Sequence, residues 1–126
     1  MSPARSPREV VEAYNLGAWN ERDLGLAAEL LGERVVRHGV GSVQILTNEQ
    51  AVQRISDTWN LCSALRFRIP LLSAGADGEH VTIAYEAAMT LTDGTEVTIG
   101  SIEIFRVLDG RIVEVYNCGH EQGAWA

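Results

Sequence analysis

From residue 66 to residue 118 the chain runs in stretches that alternate apolar and polar positions. Three Asp-Gly pairs sixteen residues apart punctuate them: Asp77-Gly78, Asp93-Gly94 and Asp109-Gly110. A two-residue period marks a strand with one face turned in and one out. Asp-Gly tolerates the positive φ angles of a tight hairpin turn. The pattern therefore predicts four strands, over about 66–74, 81–91, 96–108 and 111–118, joined as an antiparallel meander. Pro70 lies inside the first strand and has no N–H to give a neighbour, which places that strand at an edge or at a bulge. In the third strand Ile99, Ser101, Glu103 and Phe105 share one face, while Gly100, Ile102 and Ile104 share the other. Both faces are substantially apolar, so one is expected to cover helices and a pocket and the other to meet a second subunit.

Before residue 66 the period changes. Ser6-Pro7-Arg8-Glu9 has a capping serine, a proline suited to the first helical position and a glutamate that completes a capping box. Val10, Val11, Tyr14 and Ala18 follow at helical spacing, with Trp19 closing the segment. A second helix is predicted from Asp23 as cap, with Leu24, Ala27, Leu30 and Leu31 on one face, ending near Gly32. Val35-Val36-Arg37-His38-Gly39 reads as a short strand, the glycines at 39 and 41 as a bend, and 42–46 as another short strand. Thr47-Asn48-Glu49-Gln50 is a second capping box and opens a helix carrying Val52, Ile55, Trp59 and Cys62 on one face. Three helices followed by a meander predict an α+β domain, with the helices packed on one face of a curved, mainly antiparallel sheet.

Composition narrows the functions. With 126 residues, 46% of them apolar, the chain is expected to form one domain over 1–126 with a real core. Ten Lys plus Arg against seventeen Asp plus Glu give a net charge of −7, with no basic cluster, which argues against nucleic acid and anionic membrane as partners. No apolar run approaches the ~20 residues of a membrane span. Met1-Ser2-Pro3-Ala4-Arg5 lacks the pattern of a secretion signal, so a cytoplasmic location is the expectation. Cys62 and Cys118 have neither metal-ligand nor redox spacing and read as ordinary thiols. There is no phosphate loop, zinc spacing or nucleophile elbow, so neither a cofactor nor a metal is expected.

The Trp19-Asn20-Glu21-Arg22-Asp23-Leu24 junction, the Val35–Gly39 strand, Ser101-Ile102-Glu103-Ile104-Phe105-Arg106-Val107 and the run from Asp109-Gly110 to Asn117 resemble the nuclear transport factor 2-like superfamily. Within it the chain resembles the SnoaL-like polyketide cyclases and the ketosteroid isomerase-like proteins, over almost its whole length. The resemblance implies a cone-shaped (cystatin-like) fold, a bent sheet around a deep pocket closed by helices, dimeric through the back of the sheet. That fold hosts isomerases, dehydratases, cyclases, epoxide hydrolases and proteins without catalysis, so activity must come from the site. In ketosteroid isomerase-like relatives the carboxylate base falls near Gly39, beside His38, the oxyanion-binding Tyr near Asn15, beside Tyr14, and the protonated Asp on Glu103. Only Glu103 is chemically matched. The Asp-Arg-Asp set of limonene epoxide hydrolase-like relatives falls on Glu86, Ala84 and Asn117, with the cation missing.

His38, Glu86, Glu103 and Asn117 are therefore the candidate catalytic residues. Tyr14, Asn15, Trp19, Trp59, Ser101, Phe105 and Val115 are the candidate ligand-binding ones. A carboxylate in an apolar pocket has its charged form disfavoured, which brings its pKa toward the range of general acid–base work. Histidine can exchange the same proton, and Asn or Tyr can donate to an enolate oxygen. Each has a plainer alternative: a salt bridge from Glu103 to Arg106 or a helix arginine, a strand-end hydrogen bond for His38, a turn for Asn117, core packing for Tyr14 and Trp59. His120 and Glu121, as neighbours on a strand or turn, are expected to point apart, and Trp125 to fold back as a lid or pack across a dimer. Three functions follow: an acid–base cyclase, isomerase or dehydratase of secondary metabolism acting on a polyketide-like or terpenoid-like molecule; a binding or sequestering protein for such a molecule; or a dimeric protein-interaction module with a filled pocket. The enzyme reading expects Glu86, Glu103 and His38 in one pocket.

Overall fold

A computed structural model describes residues 4–126. Met1, Ser2 and Pro3, part of the stretch read for a secretion pattern, lie outside them. Helix α1 (Pro7–Glu12) starts as its sequence predicts: Ser6 Oγ accepts from the Glu9 N–H at 3.2 Å, and Glu9 Oε1 accepts from the Ser6 N–H at 2.9 Å. It runs on as a π-helical stretch, Ala13–Trp19, rather than as α-helix. The buried positions explain the change. Val10, Tyr14 and Ala18, and Val11, Asn15 and Trp19, form two rows at a strict four-residue spacing. That spacing outruns the 3.6 residues of an α-turn, and widening to i→i+5 bonding keeps both rows facing the sheet. Asn20 then ties the helix end to the neighbouring strand, its Nδ2 donating to Phe67 O at 3.1 Å and its Oδ1 accepting from Phe67 N–H at 2.6 Å.

Helix α2 (Leu24–Leu30) is capped by Asp23, whose carboxylate accepts from Leu26 N–H. It ends two residues short of Gly32, because strand β1 (Leu31–Gly39) begins at once and Leu31 pairs in the sheet. Strand β2 (Ser42–Thr47) returns antiparallel, and Thr47 opens helix α3 (Asn48–Trp59) with the expected reciprocal capping box. Ala51 and Ile55 are the fully buried residues of α3, and Cys62 lies past its end, at the start of β3. The meander is β3 (Cys62–Ala74), β4 (His80–Leu91), β5 (Glu96–Leu108) and β6 (Arg111–Asn117), followed by a two-residue β7 (Glu121–Gln122). Sheet order is β2-β1-β6-β5-β4-β3, with β1 parallel to β6, so the sheet is mixed, and β7 continues along β5.

The three Asp-Gly pairs do turn the chain, by two different means. Asp109 and Gly110 both take positive φ (50° and 75°), a two-residue hairpin loop. In the longer loops only Gly78 and Gly94 do so; Asp77 accepts from the backbone N–H of Glu79 and His80, and Asp93 from that of Thr95. Pro70 lies in an edge strand, at a register break between Arg68 and Leu71. Across that break the inward side chains change from Leu65, Phe67 and Ile69 to Leu72. The core lies between the helices and the inner face of the sheet, filled by Val10, Val11, Leu30, Ile55, Ile83, Phe105, Ile112 and Val115. Each such side chain contributes about 1.5–3 kcal/mol by leaving water. No helix among the described residues is long and apolar enough to cross a membrane.

Candidate functional site

Between the π-helical stretch, α3 and the inner face of the sheet lies a cavity of about 280 Å³. Its walls are aromatic and aliphatic. Trp19 and Phe67 approach to 5.2 Å between ring centroids, Phe67 and Tyr85 to 5.3 Å, and Tyr14 meets Phe105 edge to face at 6.0 Å. The wide π-turn sets Tyr14, Asn15 and Trp19 on one wall together; Asn15 is anchored by donating to Val11 O at 2.9 Å. Strand alternation sets Phe105 and Glu103 on the opposite wall, from β5.

Glu103 is 9% exposed, and its Oε2 accepts from Arg37 Nη2 at 3.4 Å. Burial pushes its carboxyl above the ordinary carboxylate range, against the pull of Arg37, then Asn117, then Arg54. Asn117 ends β6 directly across from Glu103 in register. Its Oδ1 accepts from Gly119 N–H at 2.5 Å, which turns the amide N–H groups toward Glu103 and Tyr85 at the cavity wall. The Tyr14 and Tyr85 hydroxyls are pushed above their usual range chiefly by burial, so both stay protonated and can donate. Arg54 reaches the cavity from α3, and exposed His120 borders it where it meets solvent. The set can hold a hydrophobic molecule, accept a proton at Glu103 and donate hydrogen bonds to a developing oxyanion.

Tyr14, Asn15, Trp19, Glu103, Phe105 and Asn117 are thus brought together. The other candidates are not. His38 and Glu86 lie on the outer face of the sheet, so the expected convergence of Glu86, Glu103 and His38 does not occur. His38 Nε2 is 2.7 Å from Glu114 Oε2 and stacks on Tyr116 at 4.4 Å; Arg37, its neighbour in β1, takes the inward place. Glu86 sits between inward Tyr85 and Ala87, opposite Arg68 and Gly100 in register. Trp59 turns to the seam between helices and donates from Nε1 to Trp19 O at 2.8 Å. Ser101 donates to Gly119 O, and Val115 is core at 2% exposure.

The salt-bridge alternative for Glu103 holds with a different cation. Arg106 is engaged outside, with Glu79 at 3.0 Å and Glu114 at 3.2 Å, and the partner comes from a strand, as Arg37. Arg37 and Arg54 line the cavity although neither was a candidate in the sequence, and His120, expected there only to point apart from Glu121, borders it. Arg54 had a signal: it lies on the same helical face as Ala51, Ile55 and Thr58. Trp125 does fold back, but over the outer face, not as a lid. Its Nε1 donates to Tyr85 O at 2.9 Å, above Gly100, where any Cβ would meet Gly123 O at 3.3 Å.

A family model of the SnoaL-like domain matches residues 10–115. Among curated proteins none matches the sequence. Of solved structures, the epoxide hydrolase/cyclase-like enzyme SalBIII, from pyran ring formation in the polyether salinomycin, is 24% identical, with 93% of this chain and 90% of that one covered and a TM-score of 0.75. A Pseudomonas putida protein assigned as a polyketide cyclase is 20% identical over 91% of this chain and 92% of that one, TM-score 0.72. An M. tuberculosis protein, an epoxide hydrolase of the LEH-like kind, is 20% identical over 89% and 80%, TM-score 0.73. At these identities the likeness is one of fold.

Proposed function

This chain belongs to the SnoaL-like domain family, and we propose that it is a small cofactor-independent enzyme of secondary metabolism. In this reading it uses general acid–base catalysis, of cyclase, isomerase or dehydratase type, on a hydrophobic oxygenated molecule of the polyketide or terpenoid kind. The observation that carries the reading is the Glu103 carboxyl, buried in an aromatic cavity and held by Arg37 at 3.4 Å. A carboxylate placed so takes a proton from a carbon beside a carbonyl, and the electron pair left behind moves onto the carbonyl oxygen as an enolate. The Asn117 amide and the Tyr14 and Tyr85 hydroxyls are the donors for that oxygen. Protonated Glu103 then returns its proton at another carbon, or to a leaving hydroxyl that departs as water, or to the alkoxide formed when the enolate closes a ring on a second carbonyl. Arg37 holds Glu103 in place and offsets part of the burial that raises its proton affinity.

Hydrogen–deuterium exchange at the activated methylene of 2-tetralone, followed by NMR in D2O, tests the proton transfer without the natural substrate. Wild type should accelerate exchange and Glu103→Gln should lose about 10²–10⁴-fold of it, the usual worth of a positioned base. Equal exchange by the two proteins refutes the assignment of Glu103. A second reading, a binding or sequestering protein, is favoured by the absence of His38 and Glu86 from the cavity. It predicts that hydrophobic ligands bind Glu103→Gln as tightly as wild type and that neither protein speeds exchange. The interaction-module reading asks for a filled pocket, and this cavity holds about 280 Å³.

A further inference from the structure

Proton transfer at Glu103 leaves one charged group of the cavity unused. Arg54 sits on the buried face of α3 and lines the same wall as Tyr14 and Thr58. Among the described residues its guanidinium makes no ion pair, whereas Arg37 has Glu103, and Arg106 has Glu79 and Glu114. Two guanidinium groups therefore share one carboxylate, whose ion pair is with Arg37, and the lining carries one positive charge in excess. That arrangement works against the fold. Burial disfavours the charged form of Arg54, and repulsion from Arg37 adds to it. Charged side chains withdrawn from water are ordinarily paired, and an unpaired one is destabilising until a counter-charge arrives. Among the described residues lining the cavity the one carboxylate is Glu103, already paired with Arg37, and the open side of Arg54 is the cavity.

We propose that Arg54 is a carboxylate-binding residue and that the molecule this site takes carries a carboxylate at one end of a hydrophobic, oxygenated body. The planar guanidinium fork matches a carboxylate in two parallel hydrogen bonds. Trp19, Phe67, Tyr85 and Phe105 form the apolar walls for the body. Because Arg54 and Glu103 line one small cavity, the anchored acid and the carbon that loses its proton belong to the same molecule. Arg54 thus fixes which carbon lies against Glu103, a specificity role distinct from the proton transfer. The inference rests on the reading of this cavity as the substrate site.

Calorimetric titration of 2-naphthoate and its methyl ester into the purified protein at pH 7.5 separates the charge from the body. Wild type should bind the acid at least about tenfold more tightly than the ester, the worth of one charge-assisted hydrogen bond. Arg54→Met should abolish that preference by weakening the acid and sparing the ester. Arg54→Lys, which keeps the charge and loses the fork, should keep a reduced preference and guards against a folding defect in the methionine variant. Glu103→Gln should retain the preference for the acid, because its carboxylate only competes for Arg54. Equal binding of acid and ester by wild type overturns the proposal and assigns Arg54 to charge that forms only during reaction. A preference that survives Arg54→Met overturns it too. If the ester binds without discrimination, only the carboxylate anchor fails. If neither probe binds, the inference falls together with the cavity as substrate site.

Discussion

Burial holds the Glu103 carboxyl above its ordinary range, so the folded protein binds that proton more readily than the unfolded chain does. Stability from this group is therefore intact at low pH and declines as pH rises from the unfolded pKa through the raised folded one, after which it is flat. Glu114 works in the opposite direction. Its hydrogen bond from His38, with Arg106 beside it, holds its pKa down, and that contribution is lost as pH falls. The two can be separated by difference: melting temperatures of wild type and Glu103→Gln from pH 4 to 8 should show the variant gaining on wild type as pH rises. A constant difference across the range would mean that Glu103 is not desolvated. The inward place of Glu103 was legible because a lone acid interrupts Ser-Ile-Glu-Ile-Phe in step with Ser101 and Phe105. The mislocation of Glu86 was avoidable, since Ile83, Tyr85 and Ala87 fix the phase of β4 and leave Glu86 outside. For β1 no such phase existed. Val35 and Val36 are both apolar, so alternation alone did not decide whether Arg37 or His38 faced inward; only pairing with β6 did.

Elements were more legible than side chains because caps and turns are local chemistry. Both capping boxes, the Asp23 cap, the Asp-Gly turns and the edge position of Pro70 follow from residues within a few positions of one another. The π-helical stretch did not, because its cause is tertiary: two buried rows at four-residue spacing must both face the sheet. Asn20 fixes where that stretch ends, through its paired hydrogen bonds with the backbone of Phe67. Asn20→Ala removes both and leaves the Phe67 N–H and C=O without these partners, a loss of about 1–3 kcal/mol. It also frees the Trp19–Phe67 wall of the cavity. Urea unfolding should show that loss, and 2-naphthoate binding should weaken in parallel. A destabilised variant with unchanged affinity would mean that the helix end braces the fold but not the site.

The whole molecule places its polar chemistry inside and an apolar strip outside. Leu71, Ile102, Ile104, Tyr116 and Trp125 are all more than a third exposed. Charged pairs flank the strip: His38, Glu114, Arg106 and Glu79 along one side, and Arg68 opposite Glu86 along the other. An apolar strip with charged borders suits a twofold contact, in which one copy's strip covers the other's and the borders set the register. We propose that the chain is a homodimer through this face, with about 800 Å² covered per partner, the size of an ordinary stable interface. The folded-back tail belongs to that surface, since Trp125 lies over Gly100 and not over the cavity. Ile104→Arg puts a charge in the middle of the strip without touching any cavity residue. Light scattering should give twice the chain mass for wild type and one chain mass for Ile104→Arg, with the far-UV circular dichroism unchanged. Because the cavity is lined by residues of one chain, the monomeric variant should still bind 2-naphthoate. A monomeric wild type, or a variant that remains dimeric, would reject the face. A monomeric variant that no longer binds would show instead that the cavity depends on the partner copy.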